Sequence, residues 1–470
     1  MCPKQFIDLI DPQSSAVDTE MARALLKEFA AAHIYRSATV EELVLKDEYF
    51  RRPLRPEDLA FIDFSTLIDR DSSSSLSALA THRMLLCIND AKRIRLPRNR
   101  EREWDSFLEF YSDRNRVLGE MMRPHLEYHA FHSFEESTRE VAGSLASLVA
   151  LALETSELRN EAEVRQARLV ASQPGGTEKQ RMQLVQFFGL AEERYVALQN
   201  IANAWLSDVP EAATAAQTWL GNIGVSKERV SAYLGYPIGS HSCWQFYLAG
   251  TMATANLLHY LCSSGRNVFQ SLGALLFSRI AQDAFLRQNS RWMAEEAGDP
   301  MNPEALKAWI QSLVTPVANR WGPSVWVDVC SGFRLSALMQ DIADQDLRRQ
   351  LSWISGLDRY RRLAGDIQDK IDREQIQIDR ETFVEPREMC STTHVHDDHR
   401  LVVIESGEMV FWAAPGMRIC LSPGEKILVP CQRLHGSSVL SEVCVYHQPI
   451  IPEDWINPHI ADTLVSALAH

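Results

Sequence analysis

The sequence is poor in the features that mark several large protein classes. Its nine cysteines (Cys2, Cys87, Cys243, Cys262, Cys330, Cys390, Cys420, Cys431 and Cys444) form no CxxC pair and are scattered through 470 residues. That is not a disulfide framework, and it fits reduced thiols in the cytoplasm. No apolar run approaches the about 20 residues that span a bilayer. The longest, residues 145–153, is interrupted by Ser147. The opening MCPKQFIDLIDPQSS has no basic segment followed by an apolar one, so no signal peptide is expected. Basic residues do not dominate either: 48 Lys and Arg against 62 Asp and Glu give a net charge of −14. Such a balance argues against nucleic acid or an anionic membrane as partner and suits small-molecule chemistry. There is no internal repeat.

What remains is an ordinary globular composition, 46% hydrophobic and 23% charged. At about 150 residues per domain the length predicts about three domains. Residues 1–75 form a mixed N-terminal helical arm. In it MARALLKEFAAAHIYRS sets Met21, Leu25, Leu26 and Phe29 on one helical face. The polar stretch from Asp69 to Ser75 ends the arm as a loop or helix cap. Residues 76–370 read almost entirely as helix, with breaks at Pro174–Gly176, near Pro210, at Tyr236–Gly239 and at Gly298–Pro303. That predicts a bundle of at least about seven helices. From residue 371 to 470 the pattern switches to short alternating runs such as HRLVVIESGEMVFWAA and HGSSVLSEVCVYHQPII. Close-spaced strands of this kind predict a small barrel or sandwich. The fold class is thus multidomain α+β, a helical bundle followed by a β barrel.

The chemistry concentrates in THVHDDHR, residues 393–400, and GEKILVPCQRLH, residues 424–435. His394 and His396 stand two apart at a strand start, so both imidazoles face one side. His435 opens the strand that follows Pro430 and a short turn. This pattern resembles the cupin superfamily, whose first motif is His-x-His, a later Glu, then Gly (here Gly407). Its second motif is Gly, five residues, Pro, a turn and His (here Gly424, Pro430 and His435). The resemblance covers about residues 374–452 and implies a double-stranded β-helix barrel with three histidines converging at its mouth. The sequence departs from it at the Glu, whose expected position falls near His399 or Arg400. A three-His site is therefore expected. Three neutral imidazoles hold a divalent first-row metal and leave positions open. The expected ligands are His394, His396 and His435, and the expected cofactor is one Fe(II) per chain.

Around that site, Arg400 and His447 are the candidate catalytic or substrate-contacting residues. Glu385, Arg387 and Glu405 are further candidate pocket groups. Alternation from His396 sends His399 to the opposite face. Cys431, in the turn before His435, reads as a small buried side chain.

The whole chain also looks like the three-domain nitrosourea-forming non-haem iron enzymes of streptozotocin biosynthesis. In that family a helical arm precedes a haem-oxygenase-like di-iron domain and a three-His cupin. Length, domain order and the interval from His396 to His435 carry the likeness, with the stretch GVSKERVSAYLG, residues 224–235. The resemblance implies N-hydroxylation in the central domain and rearrangement with N–N bond formation in the cupin. It also implies di-iron ligands from several helices, including a His-x3-Asp-x2-His helix. Here the pattern fails: between residues 133 and 393 the histidines are His241 and His259 alone, Ser278 stands about where a ligand Glu is expected, and Asp341 has no histidine partners. The central domain is therefore expected to lack a di-iron site, and a separate N-oxygenase to supply the hydroxylated substrate. A second histidine group, His125, His129 and His132, has metal-compatible spacing with Glu127 and Glu135 near. With no second carboxylate-rich helix to name as partner, it reads rather as a polar helix face after Pro124, which suits a helix start. The basic run from Lys92 to Arg102 reads as a solvated or intersubunit surface.

The function expected from these features is a non-haem Fe(II) cupin oxygenase or rearrangement enzyme of natural-product biosynthesis. Its partners would be O2 and an N-hydroxylated nitrogenous small molecule. The alternatives are a three-His cupin dioxygenase cleaving a C–C bond and a non-catalytic metal-binding regulator. The arm and bundle are compatible with a homodimer.

Overall fold

A computed structural model describes residues 19–31, 59–91, 100–139, 143–172, 174–220, 227–235, 238, 243–292, 300–387 and 390–456. The helices are α1 (Thr19–Ala31), α2 (Leu76–Asp90), α3 (Arg100–Phe110), α4 (Asp113–Thr138) and α5 (Leu145–Ala171). They continue as α6 (Gly176–Phe188), α7 (Ala191–Asn200), α8 (Pro210–Leu220), α9 (Lys227–Leu234) and α10 (Ala249–Ser263). The last are α11 (Val268–Asn289), α12 (Pro303–Trp321), α13 (Ser324–Ser355) and α14 (Leu357–Glu374).

Several starts are written in the sequence. The Ser75 hydroxyl accepts from Ala78 N–H at 3.1 Å, so the last serine of the polar stretch caps α2. Ser144 and Ser147 make a reciprocal capping box on α5. Asn302 caps α12, whose first residue is Pro303. Pro124, by contrast, does not start a helix. The cap of α4 is Ser112, whose hydroxyl accepts from Asn115 N–H at 3.4 Å, and the helix runs on through Pro124. Inside the helix the proline ring costs one backbone hydrogen bond. Packing on both sides offsets that loss, since Met122, Leu126 and Ala130 are fully buried.

The bundle is built around α10, α11 and α13. Where α11 crosses α13 the backbones nearly touch. A Cβ on Gly273 would strike the Val329 carbonyl, and one on Gly332 would strike the Gln270 carbonyl. Only glycine permits this approach. From α1, Ala22, Leu25 and Leu26 are buried and Met21 is partly so, and the helix packs on α4. The side chain of Phe29 lies outside the described residues. α14 is amphipathic, burying Tyr360, Leu363, Ala364, Ile367 and Ile371 at helical spacing, and it lies against strand β6 (Lys426–Val429). Each fully buried Leu or Ile side chain there contributes about 1.5–3 kcal/mol.

The remaining strands are β1 (Thr382–Pro386), β2 (Cys390–His394), β3 (His399–Ser406), β4 (Met409–Trp412), β5 (Ile419–Leu421), β7 (His435–Val439), β8 (Val443–His447) and β9 (Ile450–Ile451). One sheet has the order β1-β8-β3-β6 with β9 on β3; the other has the order β2-β7-β4-β5. Every pairing is antiparallel. The two sheets enclose Val402, Ile404, Met409, Phe411, Ile427 and Val439, the core of a cupin barrel. Both motif glycines have left-handed backbones, Gly407 with φ 82° and Gly424 with φ 82°. The molecule is thus a helical bundle leading into a C-terminal cupin barrel. Among the described residues no helix is long and apolar enough to cross a membrane.

Candidate metal centre

Strand register creates the site. His394 ends β2, His435 opens β7, and the antiparallel pairing sets their Cα atoms opposite one another, after a bulge between Ser391 and His394. Cross-strand neighbours on one face touch. His396 follows just beyond β2, where its carbonyl accepts from Gln432 N–H at 2.7 Å. The ring centroids lie 4.5 Å (His394–His435), 4.8 Å (His394–His396) and 5.1 Å (His396–His435) apart. One nitrogen from each ring lies within 4.8 Å of the others.

These residues fit a divalent metal. His394 Nε2 and His396 Nε2 are 3.2 Å apart. Two imidazoles sharing an ion at about 2.1 Å place their nitrogens about 3.0–3.4 Å apart. The opposite ring nitrogens are held from behind. His435 Nδ1 donates to the Arg433 carbonyl at 2.8 Å, which leaves Nε2 as the lone-pair nitrogen. His394 Nδ1 lies 3.5 Å from the Ser391 hydroxyl. Such outer partners fix the tautomer and aim of a ligand ring. His394 and His435 are buried and His396 half-buried, so the site opens toward His396.

The bundle reaches into this site. Arg83 on α2 donates to the Thr393 carbonyl at 2.6 Å and to its hydroxyl at 3.1 Å, beside His394. The Thr393 hydroxyl donates onward to the Gln245 carbonyl at 2.5 Å. Gln350 on α13 treats Leu434, beside His435, as a strand would. Its Nε2 donates to Leu434 O and to Ala413 O, each at 2.8 Å, and its Oε1 accepts from Leu434 N–H at 3.0 Å. Trp353, further along the same helix, sets its ring edge-on to His435 at 6.2 Å. The Asp397 carboxylate accepts from Leu76 N–H at 2.9 Å, joining the start of α2 to the loop after His396.

The other sequence candidates have different surroundings. His399 is buried, its Nδ1 accepts from Cys431 N–H at 3.1 Å, and burial lowers its pKa, so it is neutral. Burial pushes the Cys431 thiol up, away from thiolate chemistry. Arg400 pairs with both Asp398 oxygens, at 2.5 and 3.0 Å, and with Glu381. Its Nη1 also donates to the Gln448 carbonyl at 3.2 Å. His447 stands between the Thr382 hydroxyl at 2.9 Å and Glu405 at 3.1 Å. Glu385 accepts from Tyr446 at 3.1 Å, and Arg387 is exposed. None of these joins the three imidazoles. Gln448 does: its Nε2 lies 3.2 Å from His396 Nε2. Sequence reasoning reaches His447, one residue short, and period-2 alternation from it is the signal that points to its neighbour. Arg83, Gln350 and Trp353 carry no sequence signal, because they lie far from the barrel along the chain.

In the bundle, His129 is buried edge-on to Phe64 at 5.3 Å, and burial pushes its pKa down to about 4. His132 instead stacks on Tyr128 at 4.3 Å, and His125 is half-buried. Among the described residues, the grouping of three or more metal-type donors is His394, His396 and His435. Ser278 lines a cavity in the bundle, and its hydroxyl donates back to Ala274 O at 2.7 Å. Asp341 sits at the exposed edge of α13, while Asp344 on the same helix pairs with Arg159. His259 faces Glu193 at 3.9 Å. His241, residues 92–99 of the basic run and the loop at 221–226 lie outside the described residues.

Fold and site together define a helical bundle joined to a cupin with three convergent imidazoles. The chain is similar to the nitrosourea synthase of Streptomyces achromogenes subsp. streptozoticus, 26% identical over 434 residues that cover 85% of this chain and 89% of that protein. The resemblance to that three-domain enzyme therefore extends beyond the cupin motifs. No family model matches the chain.

Proposed function

We propose that the protein is a mononuclear non-haem iron enzyme that forms an N–N bond in a nitrogenous, N-hydroxylated small molecule, using O2. The observation that carries this reading is the convergence of His394, His396 and His435 with no carboxylate among them. The similarity to a nitrosourea synthase along most of both chains supports the nitrogen chemistry. Fe(II) held by the three imidazoles would supply a redox-active Lewis acid with open positions for substrate and O2.

The chain's own residues do the rest. Gln448 places an amide beside His396, where it hydrogen-bonds a polar group of the substrate. We propose Arg400 and His447 as positioning residues for that amide. Arg400 holds the Gln448 carbonyl, and His447, the residue before it, is anchored between Thr382 and Glu405. We also propose that N-hydroxylation occurs on a separate enzyme. Supporting this, the bundle cavity presents Ser278, Ser336 and Gln340 among the described residues, and its carboxylates Glu163 and Asp344 are engaged by Arg159. The divisions at residues 75 and 370 are retained as proposed domain limits, with α14 docked on the barrel.

The test is full-length protein reconstituted with Fe(II) without oxygen, then given nitric oxide and a panel of N-hydroxyguanidines. A substrate should perturb the iron-nitrosyl spectrum, and with O2 it should yield a 15N–15N product from doubly labelled substrate. If O2 is consumed only with carbon substrates that are cleaved, the dioxygenase alternative replaces this reading.

A further inference from the structure

The bundle contains a cavity of two joined lobes. The first lies among α7, α10, α11 and α13, with apolar walls that include Leu198, Trp219, Leu257, Phe277 and Met339. The second extends toward α5 and α6 and includes Glu163 and Asp344. Arg194 stands at the junction and lines both.

Both carboxylates of the second lobe are engaged by a single guanidinium. Arg159 donates to Glu163 at 2.9 Å and pairs with Asp344, and Gln340 donates to Asp344 at 2.8 Å. Arg194 is different. Its Nε donates to Leu190 O at 3.4 Å, and its Nη2 donates to Gln186 O at 3.1 Å and Phe187 O at 2.6 Å. These are carbonyls near the C-terminal end of α6, so part of its role is to cap that helix. Capping leaves the Nη1 edge without a protein acceptor and the guanidinium without a carboxylate among the described residues. Burial pushes its pKa down to about 10, with the Tyr247 phenol acting the other way, so it remains a cation at neutral pH. Arg194 is half-buried, with three backbone carbonyls and the Phe187 ring (5.7 Å) against its guanidinium, and a bound carboxylate would add the charge partner that these do not supply.

We propose that this cavity binds a small organic anion, a carboxylate on an apolar body, with the carboxylate on Arg194 and the body against Leu257, Phe277 and Met339. The recognition needs no metal, so it stands independently of the barrel chemistry. A guanidinium fork matches a planar carboxylate and not the uncharged amide of the same body.

The test is calorimetric titration of the full-length protein with phenylacetate and hexanoate, and with phenylacetamide and hexanamide as uncharged counterparts. At least one carboxylate should bind about tenfold or more tightly than its amide. Arg194→Gln should bring the carboxylate down to the amide's level. Ser278→Leu, which fills the first lobe and keeps the arginine, should weaken both. His396→Ala should change neither, which separates this site from the barrel. Circular dichroism checks the fold; if Arg194→Gln unfolds, the carboxylate-to-amide ratio and Ser278→Leu decide. The proposal is overturned if no carboxylate binds, if the amides bind equally well, if binding survives the folded variants, or if it is lost in His396→Ala.

Discussion

The barrel brings three imidazoles onto one point, whereas the bundle's cavity ties its polar groups up in ion pairs and helix contacts. In the barrel each ligand is on or beside a strand end, and cross-strand register aims it. In the bundle the polar side chains facing the cavity turn back onto their own helices, as Ser278 and Ser336 do, or pair with a neighbouring helix, as Asp344 does with Arg159. A fold keeps its shape through apolar packing, while a site depends on a few donors at its wall.

The two regions separate most completely if the barrel loses its metal while the bundle stays intact. His396→Ala or His435→Ala should take iron from about one per chain to near none, by elemental analysis after anaerobic loading, with helicity unchanged. Full iron in His396→Ala would remove the barrel's distinction from the bundle. The converse perturbation is Gly332→Val, which forces α13 off Gln270 of α11. Thermal melting should show destabilisation of about 3 kcal/mol or more.

Acid should act on the bundle through two neutral buried histidines. Burial lowers His82 to about 3 and His129 to about 4, below the ordinary 6.5. The unfolded chain then binds more protons, so stability should fall as pH drops below about 6.5 and level off near pH 3–4. His129 alone accounts for about 3 kcal/mol of that loss. Denaturant melts from pH 7 to 4 should show it, and His129→Gln should flatten the slope. Gln350→Leu tests whether the two regions are coupled. It should lower iron affinity about tenfold, as outer-shell losses do, and stability by about 1–3 kcal/mol. An unchanged iron affinity would make the two regions independent. The smallest effect belongs to His447→Asn, whose ion-pair partner Glu405 is exposed. A change below about 1 kcal/mol is expected, with full iron retained.

Much of the barrel was legible in the sequence because its constraints are local. Gly407 and Gly424 sit at left-handed turns, and the two-residue spacing does bring His394 and His396 together, although at the end of β2 and just beyond it rather than at a strand start. Ser75 showed the start of α2. Pro124 misled, because the cap at Ser112 and tertiary packing carry α4 through it. The site's outer partners were invisible for a plain reason. Thr393 meets Arg83 from 310 positions away, and Leu434 meets Gln350 from 84. No periodicity spans such separations. Gln448 was missed by one residue, since His447 is the more conspicuous type and a strand turns adjacent side chains to opposite faces.

Gln350 also bears on whether the barrel is portable. Its side-chain amide serves as one peptide unit of a neighbouring strand, lent by a helix. Cut away from α13, the barrel would lose the partners of Ala413 O, Leu434 O and Leu434 N–H in one stroke, directly beside His435. A graft of residues 371–470 onto another protein would therefore inherit three histidines and lose part of the frame that aims one of them. The portable unit is the barrel together with its lending helix.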